Sequence, residues 1–295
     1  MFVTAYDDIL FAYFMNYKSL KISLLVSVFL GFLAVGISYA DEIKNLGSDF
    51  RGFNSLALAN LEVSSEAPVV ELITGSVERL KKPIVSITFD DGYESAYVYA
   101  PSILDKFGYK ATYYVISNYI GGRGYMKAPD ILDLNSHGNE IGAHTRNHPN
   151  LVSLSEAGAT NEIVGSKKDL ELLGLEIKTF AYPYGGYNKG VELLTKEAGL
   201  DSARTIETWY NLGDTDRFAL GGYSVNSKTP LEKVFKYLDN AVANKTWAIL
   251  VFHRIDENGN PISITHENFE KIIEYISKLD ADVLTISDAN RKISR

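Results

Sequence analysis

Two adjacent carboxylates, Asp90 and Asp91, sit in the stretch SITFDDGYES, where an apolar run gives way to glycine. Side chains alternate along a strand, so Ser86, Thr88 and Asp90 share one face while Val85, Ile87 and Phe89 share the other. Gly92 lets the backbone bend just after Asp91. A turn explains one Asp and the Gly; both carboxylates can work side by side if a cation neutralises one of them. The segment HTRNHPN places His144 and His148 four apart, two of only five His in the chain. Pro149 disfavours a helix there, so a loop is expected. Two His and one Asp are a common ligand set for a catalytic Zn²⁺ that keeps a position open, which brings Asp91 in as third ligand. Surface or capping roles for the two His are the plain alternative. In AYPYGGYN, Pro183 and Gly185 turn the chain after a strand; a plain turn is the simpler reading, and a Tyr184 N–H aimed outward to stabilise an oxyanion is the alternative. In ILVFHRID, His253 follows a wholly apolar strand; a lone His there is usually structural, whereas beside a metal-activated water it would act as general acid. His137 and His266 lack comparable settings and receive no role.

These residues need a frame that brings distant segments together. The chain has 295 residues, 46% of them hydrophobic and 12% aromatic, with no low-complexity tract and no internal repeat. That content suffices for one large domain or two small ones. From Pro83 onward, runs of strand length alternate with amphipathic runs of helix length, as in parallel β/α units. The expected strands are Ile84–Phe89, Lys110–Ile116, Glu140–His144, Ile177–Pro183, Ser202–Ile206, Tyr223–Val225, Thr246–Phe252 and Asp282–Ile286, with helices between most of them. Ser153 and Glu156 read as a capping box for the helix that ends near Gly174. About seven parallel strands suit an α/β fold closed as a (β/α) barrel over residues 81–295. In such barrels the chemistry lies where strands end and loops begin. Asp90, Asp91, His144, Tyr184 and His253 all fall at such ends.

Net charge is −8 with no Lys/Arg cluster, which argues against nucleic acid as a partner. There is no Cys, so disulfides and thiolate metal sites are excluded and any metal must be held by His and carboxylates. Lys18 and Lys21 precede an uncharged stretch from Ile22 to Ala40, and Ser38-Tyr39-Ala40 supplies small residues before Asp41. Residues 1–40 therefore read as a secretory signal peptide cleaved after Ala40. The 19 residues from Ile22 to Ala40 are also about long enough for an uncleaved membrane anchor. Met15 makes a tidier start for such a leader than Met1. Residues 41–80 read as a connecting segment. The expected location is exported: periplasmic, cell-envelope or secreted.

Together, TFDDG, HTRNH, YPYG and LVFH, in that order over roughly Lys82 to Ile293, resemble the polysaccharide deacetylase family, also called carbohydrate esterase family four. The resemblance implies a distorted (β/α) barrel and a divalent metal, usually Zn²⁺. It also implies hydrolysis of N-acetyl groups on amino sugars of a polysaccharide, or of O-acetyl groups on xylan in some members. Carried onto this chain, it makes Asp90 the general base and Asp91, His144 and His148 the metal ligands. The Tyr184 amide would bind the oxyanion and His253 would be the general acid. Two departures stand out. Many members carry Arg where this chain has Ala181, to orient the basic Asp; Arg204, Arg217 and Arg254 are the candidates to replace it. Many also carry a D-x-x-D-W segment that tunes the acidic His, where this chain has Asp214 and Asp216 without Trp. A glycan-binding barrel that keeps its metal without catalysis is the rival from another class. For sugar contacts, the aromatic and apolar candidates are Tyr119, Tyr125, Met126, Trp209 and Tyr210.

Overall fold

The computed structural model describes residues 80–293. The leader and the connecting segment expected over 1–80 lie outside the described residues, apart from Leu80. Strand β1 (Ile84–Phe89) is central. It pairs in parallel over all six residues with β7 (Trp247–Phe252). Its last two residues pair with β2 (Thr112–Val115), and its first two with β10 (Asp282–Val283). Beyond β2 follow β3 (Glu140–Ala143), β4 (Thr179–Ala181) and β5 (Ser202–Arg204), while β6 (Tyr223–Ser224) lies beyond β7. The sheet order is thus β5-β4-β3-β2-β1-β7-β6, seven parallel strands curled into a distorted barrel. Between its two edges the chain bridges Arg204 to Leu220 in parallel fashion just before β6. A small parallel pair, β8 (Arg254–Ile255) and β9 (Ser263–Ile264), stands apart from this sheet.

Alternation along the strands separates two apolar layers. Val85, Ile87 and Phe89 belong to the outer core, packed with α1 (Glu94–Leu104), α3 (Glu156–Glu171), α5 (Leu231–Asn244) and α6 (His266–Ile276). Ile84 instead joins Tyr114, Ala181, Trp247, Ile249 and Val251 in a smaller inner cluster. Ser86, Thr88 and the Trp247 indole share this interior and are hydrogen-bonded, as burial requires. Trp247 Nε1 donates to Ser86 Oγ at 2.9 Å, Ser86 Oγ donates to the Leu284 carbonyl at 2.7 Å, and Thr88 Oγ1 donates to that of Leu250 at 3.0 Å. Two further helices, α2 (Ala128–Ser136) and α4 (Lys189–Glu197), complete the β/α alternation.

The structure corrects the expected element ends in two places. Asn150 caps a short turn over Leu151–Ser153, so α3 starts later than the Ser153 box implies, and Ser155 is its N-cap, accepting from the Gly158 N–H at 3.2 Å. The last strand pairs only over Asp282–Val283. From Ile286 the chain forms helix α7 (Ile286–Ile293), which a strand reading of DVLTI misses. The hydrogen bond between Thr285 Oγ1 and the Asp288 N–H at 3.3 Å marks its start, a spacing visible in T-I-S-D. This helix closes the barrel at the strands' N-terminal ends. Glu140 there accepts from Thr112, Thr179 and Ser287, and Asn290 Nδ2 donates to Ser202 Oγ at 2.7 Å. Among the described residues no helix is long and apolar enough to cross a membrane.

Candidate active site

At the opposite, C-terminal end of the barrel the candidate residues converge. The Asp90 N–H donates to the Phe252 carbonyl at 2.8 Å, which ties the end of β1 to the point where His253 leaves β7. Asp91 and Gly92 follow in left-handed conformation, φ 69° and 77°. Asp tolerates that region better than most residues, and Gly adopts it freely. The turn brings the two neighbouring carboxylates to different partners.

Asp90 faces Arg204, whose Nη2 donates to Asp90 Oδ1 at 2.5 Å; both side chains are buried. Arg204 Nη1 donates to the Thr205 carbonyl at 2.9 Å, and the guanidinium lies 5.2 Å from the centre of the Tyr114 ring. Arg204 pairs in register with Ala181 on the neighbouring parallel strand, so both side chains point into the barrel. The small residue on β4 leaves room for a guanidinium supplied from β5. Of the three arginines considered, Arg204 is the one at the base; Arg254 bonds Asp256 at 2.8 Å instead. Burial by itself would raise Asp90, but the charges of Arg204, His144 and His253 outweigh it and hold the carboxyl below its ordinary range.

Asp91 turns the other way. Its Oδ1 stands 3.4 Å from His144 Nε2 and 3.3 Å from His148 Nε2, and the two imidazole nitrogens are 3.1 Å apart. Zinc–ligand bonds of about 2.0–2.1 Å at tetrahedral angles would set donor atoms about 3.3–3.4 Å apart. The three atoms are therefore spaced as ligands of one ion. Asp91 Oδ1 is buried without a hydrogen-bond partner, the state expected of an atom reserved for a cation. His144 Nδ1 lies 2.7 Å from the Ala181 carbonyl, so it carries the proton and leaves the Nε2 lone pair for a ligand bond. Burial acts to raise Asp91, but the imidazole of His144 facing it, then those of His253 and His148, bring it down to about 2. Burial, then the charge of His144, lowers His148 to about 4, its neutral ligand form. Burial pulls His144 down as well, but the facing Asp91 carboxylate and the charge of Asp90 win and raise it.

These groups floor a cleft of about 550 Å³. Tyr184 stands at its edge with φ 57°, 65% exposed, its ring edge-on to His148 at 4.6 Å. His253 lines the cleft too. On one side Tyr125 stacks on Tyr93 at 5.0 Å and meets Tyr119 edge-on at 5.0 Å. Of the aromatic and apolar candidates, Tyr119 and Tyr125 line the cleft. Other aromatic and apolar candidates do not. Met126 is 1% exposed in the core, and Tyr210, half-buried, stacks on Tyr237 against the core. Trp209 packs so closely over Gly221 that a Cβ there would lie 2.3 Å from its ring, and it is not part of the cleft wall. Asp216 caps the Phe218 N–H and Asp214 is exposed, so neither lines the cleft beside His253. Sequence reasoning passed over Tyr93 and Ile206, both in the wall. Tyr93 directly follows the DDG turn, and that adjacency was its only signal.

Comparison with known proteins agrees with this geometry. The family model "Polysaccharide deacetylase" matches residues 78–203. The Bacillus subtilis protein YxkH is 31% identical over 144 residues, 48% of this chain and 52% of its own length. The chain therefore spans about half of that relative. A peptidoglycan-N-acetylglucosamine deacetylase of Bacillus cereus is 28% identical over 212 residues, 70% of this chain and 88% of the relative. Among solved structures, the Xyl-CE4 domain of a multidomain xylanase from the hindgut metagenome of Trinervitermes trinervoides superposes with TM-score 0.54 at 19% identity. It covers 72% of this chain and 91% of that one. A variant of BA3943, a CE4-family pseudoenzyme with restored activity, superposes with TM-score 0.53 at 16% identity, over 72% of this chain and 69% of that one. An enzyme domain and a pseudoenzyme share this fold, so the barrel alone does not fix activity. Motif order, barrel and matched relatives agree: residues 78–203 match the polysaccharide deacetylase family, and the fold is the one seen in the Xyl-CE4 domain.

Proposed function

We propose that this chain is a metal-dependent hydrolase that removes N-acetyl groups from amino sugars of an envelope polysaccharide and releases acetate. The observation that carries this reading is the division of labour in the DDG turn. Asp91 points to two imidazoles, while Asp90, one residue away, is ionised and held by Arg204. A binding module has no need of a positioned base beside a metal site.

Asp91, His144 and His148 would hold the divalent ion, and two imidazoles with one carboxylate favour Zn²⁺. When bound, that ion supplies Lewis acidity at the acetyl carbonyl and acidifies water at neutral pH. Asp90 takes the proton as the water oxygen bonds to the carbonyl carbon. Arg204 keeps Asp90 ionised and aimed. The Tyr184 N–H donates to the developing oxyanion. Protonated His253 gives its proton to the nitrogen as the C–N bond breaks, so the amine leaves neutral. The tyrosines at the cleft wall offer faces and edges suited to sugar rings. Peptidoglycan, named for the Bacillus cereus relative, is the first polymer to test. Export through the leader over residues 1–40, with cleavage after Ala40 or retention as an anchor, belongs to the same proposal. N-terminal sequencing of the exported chain should begin at Asp41 if the leader is cut.

The test is acetate release from N-acetylglucosamine oligomers and from acetylated xylan, with and without chelator. Release from the amino-sugar oligomers, lost on chelation and restored by zinc, is expected. Release from xylan alone would make the chain an O-acetyl esterase. Glycan binding with full biological effect in Asp90→Asn would make it a non-catalytic barrel.

A further inference from the structure

The loop between the two candidate ligand imidazoles is built against its own conformational preference. Thr145 has φ 64° and His148 φ 58°, in the left-handed region that residues with a Cβ avoid. Something must hold it there, and its hydrogen bonds show what. The Arg146 and Asn147 N–H groups both donate to Glu162 Oε2 at 2.9 Å, and Asn147 Nδ2 donates to Glu162 Oε1 at 2.7 Å. The His148 N–H donates to Thr145 Oγ1 at 2.9 Å. The Thr145 and Arg146 carbonyls accept from the Ser117 and Asn118 N–H groups, each at 3.1 Å. Arg146 then reaches back to the same helix as Glu162. Its Nε and Nη2 grip the two oxygens of Asp169 at 2.7 and 2.6 Å.

Glu162, Gly165 and Asp169 lie three and seven residues apart on α3, one face of the helix. Gly165 is where the loop side chain crosses, since a Cβ there would stand 2.5 Å from Arg146 Nε. Glu162 is 8% exposed, and its hydrogen bonds go to Arg146 and Asn147 of the loop. A buried carboxylate accepting two adjacent backbone N–H groups fixes those peptide planes, and with them the direction in which His148 leaves the chain.

We propose that Glu162 is a positioning residue for the metal site, with Arg146–Asp169 as its brace. Helix α3 holds the His144–His148 loop ready for the ion before the ion arrives. This rests on the metal-binding reading but not on the reaction. Losing support of this kind typically weakens metal binding about 10–100-fold.

Zinc titration of the metal-free full-length chain against a chromophoric chelator tests it, with a thermal melt of each metal-free variant alongside. Glu162→Ala should bind zinc about 10–100-fold more weakly than wild type. Glu162→Gln keeps an oxygen for the backbone N–H groups but sets its amide against that of Asn147, so its loss should be smaller. Glu192→Ala, which breaks ion pairs on α4 away from the cleft, should lower the melting temperature and leave zinc affinity unchanged. Zinc affinity within about twofold of wild type in Glu162→Ala overturns the proposal. So does an equal loss in Glu192→Ala. If Glu162→Ala does not melt cooperatively, Glu162→Gln and Asp169→Asn decide, and wild-type affinity in both overturns it. A wild-type chain that takes up no zinc sinks the metal reading and this proposal with it, whereas zinc binding without acetate release sinks only the proposed reaction.

Discussion

Arg204 is wholly buried, and its nearest anionic partner is the carboxylate proposed as base. Removing a buried charge's partner is costly, so Arg204→Met should destabilise the protein by about 3–5 kcal/mol near neutral pH, measured by denaturant unfolding. The direction with pH follows from linkage. Asp90 has a folded pKa below its ordinary 3.8, so it stabilises the fold above that value and loses the contribution as pH falls through the folded pKa. Without the guanidinium, burial dominates and the pKa rises. The acidic limb of the pH–rate profile of Arg204→Met should therefore move to higher pH, with kcat reduced more than KM is changed. A limb that stays in place would remove Arg204 from the reaction. His144 gives a second expectation at this scale. Its pKa is raised above the ordinary 6.5, so protons compete for Nε2 already above that pH. Apparent zinc affinity, titrated at several pH values, should begin to fall above pH 6.5 and keep falling as pH is lowered.

Strands set how these side chains meet. Gly142 on β3 pairs in register with Tyr114 on β2, and a Cβ at Gly142 would lie 2.5 Å from the Tyr114 ring and 2.9 Å from Thr179 Oγ1. That ring in turn faces the Arg204 guanidinium. Gly142→Ala should then cost about 1–3 kcal/mol through overpacking, and should lower activity through the displaced ring and guanidinium. Unchanged unfolding and unchanged turnover would show that Tyr114 moves aside freely. The strands themselves were legible because β7 is a continuous apolar run and β1 alternates apolar residues with Ser86 and Thr88, each run ended by a polar turn. Helix α7 was not legible, because five residues from Asp282 to Ile286 fit a strand as well as a strand-to-helix turn. Pairing with β1 stops after Val283, and Thr285 then serves the helix.

Over the whole molecule, helix α7 and the Glu140 network close one end of the barrel, while the cleft occupies the other. Binding to the folded state alone adds stability by mass action. Zinc at about a thousand times its dissociation constant should add about 4 kcal/mol. For a domain of this size that raises the melting point by about 8–16 °C, read by calorimetry with and without chelator. A melting point indifferent to chelator would mean that Asp91, His144 and His148 hold no ion in the folded protein.

Residue type and order singled out Asp90, Asp91, His144 and His253 as candidates, since each lies where a run of strand length ends, and His148 by its spacing of four from His144. Chain chemistry likewise restricted the metal ligands to nitrogen and oxygen by excluding cysteine. Which arginine serves Asp90 was open among three, because neighbours across a parallel sheet are far apart in the chain and their register is fixed only when the strands pair. The same holds for the cleft wall. Tyr210 and Met126 carry the right chemistry but point into the core, and side-chain direction in loops follows packing that no local spacing encodes.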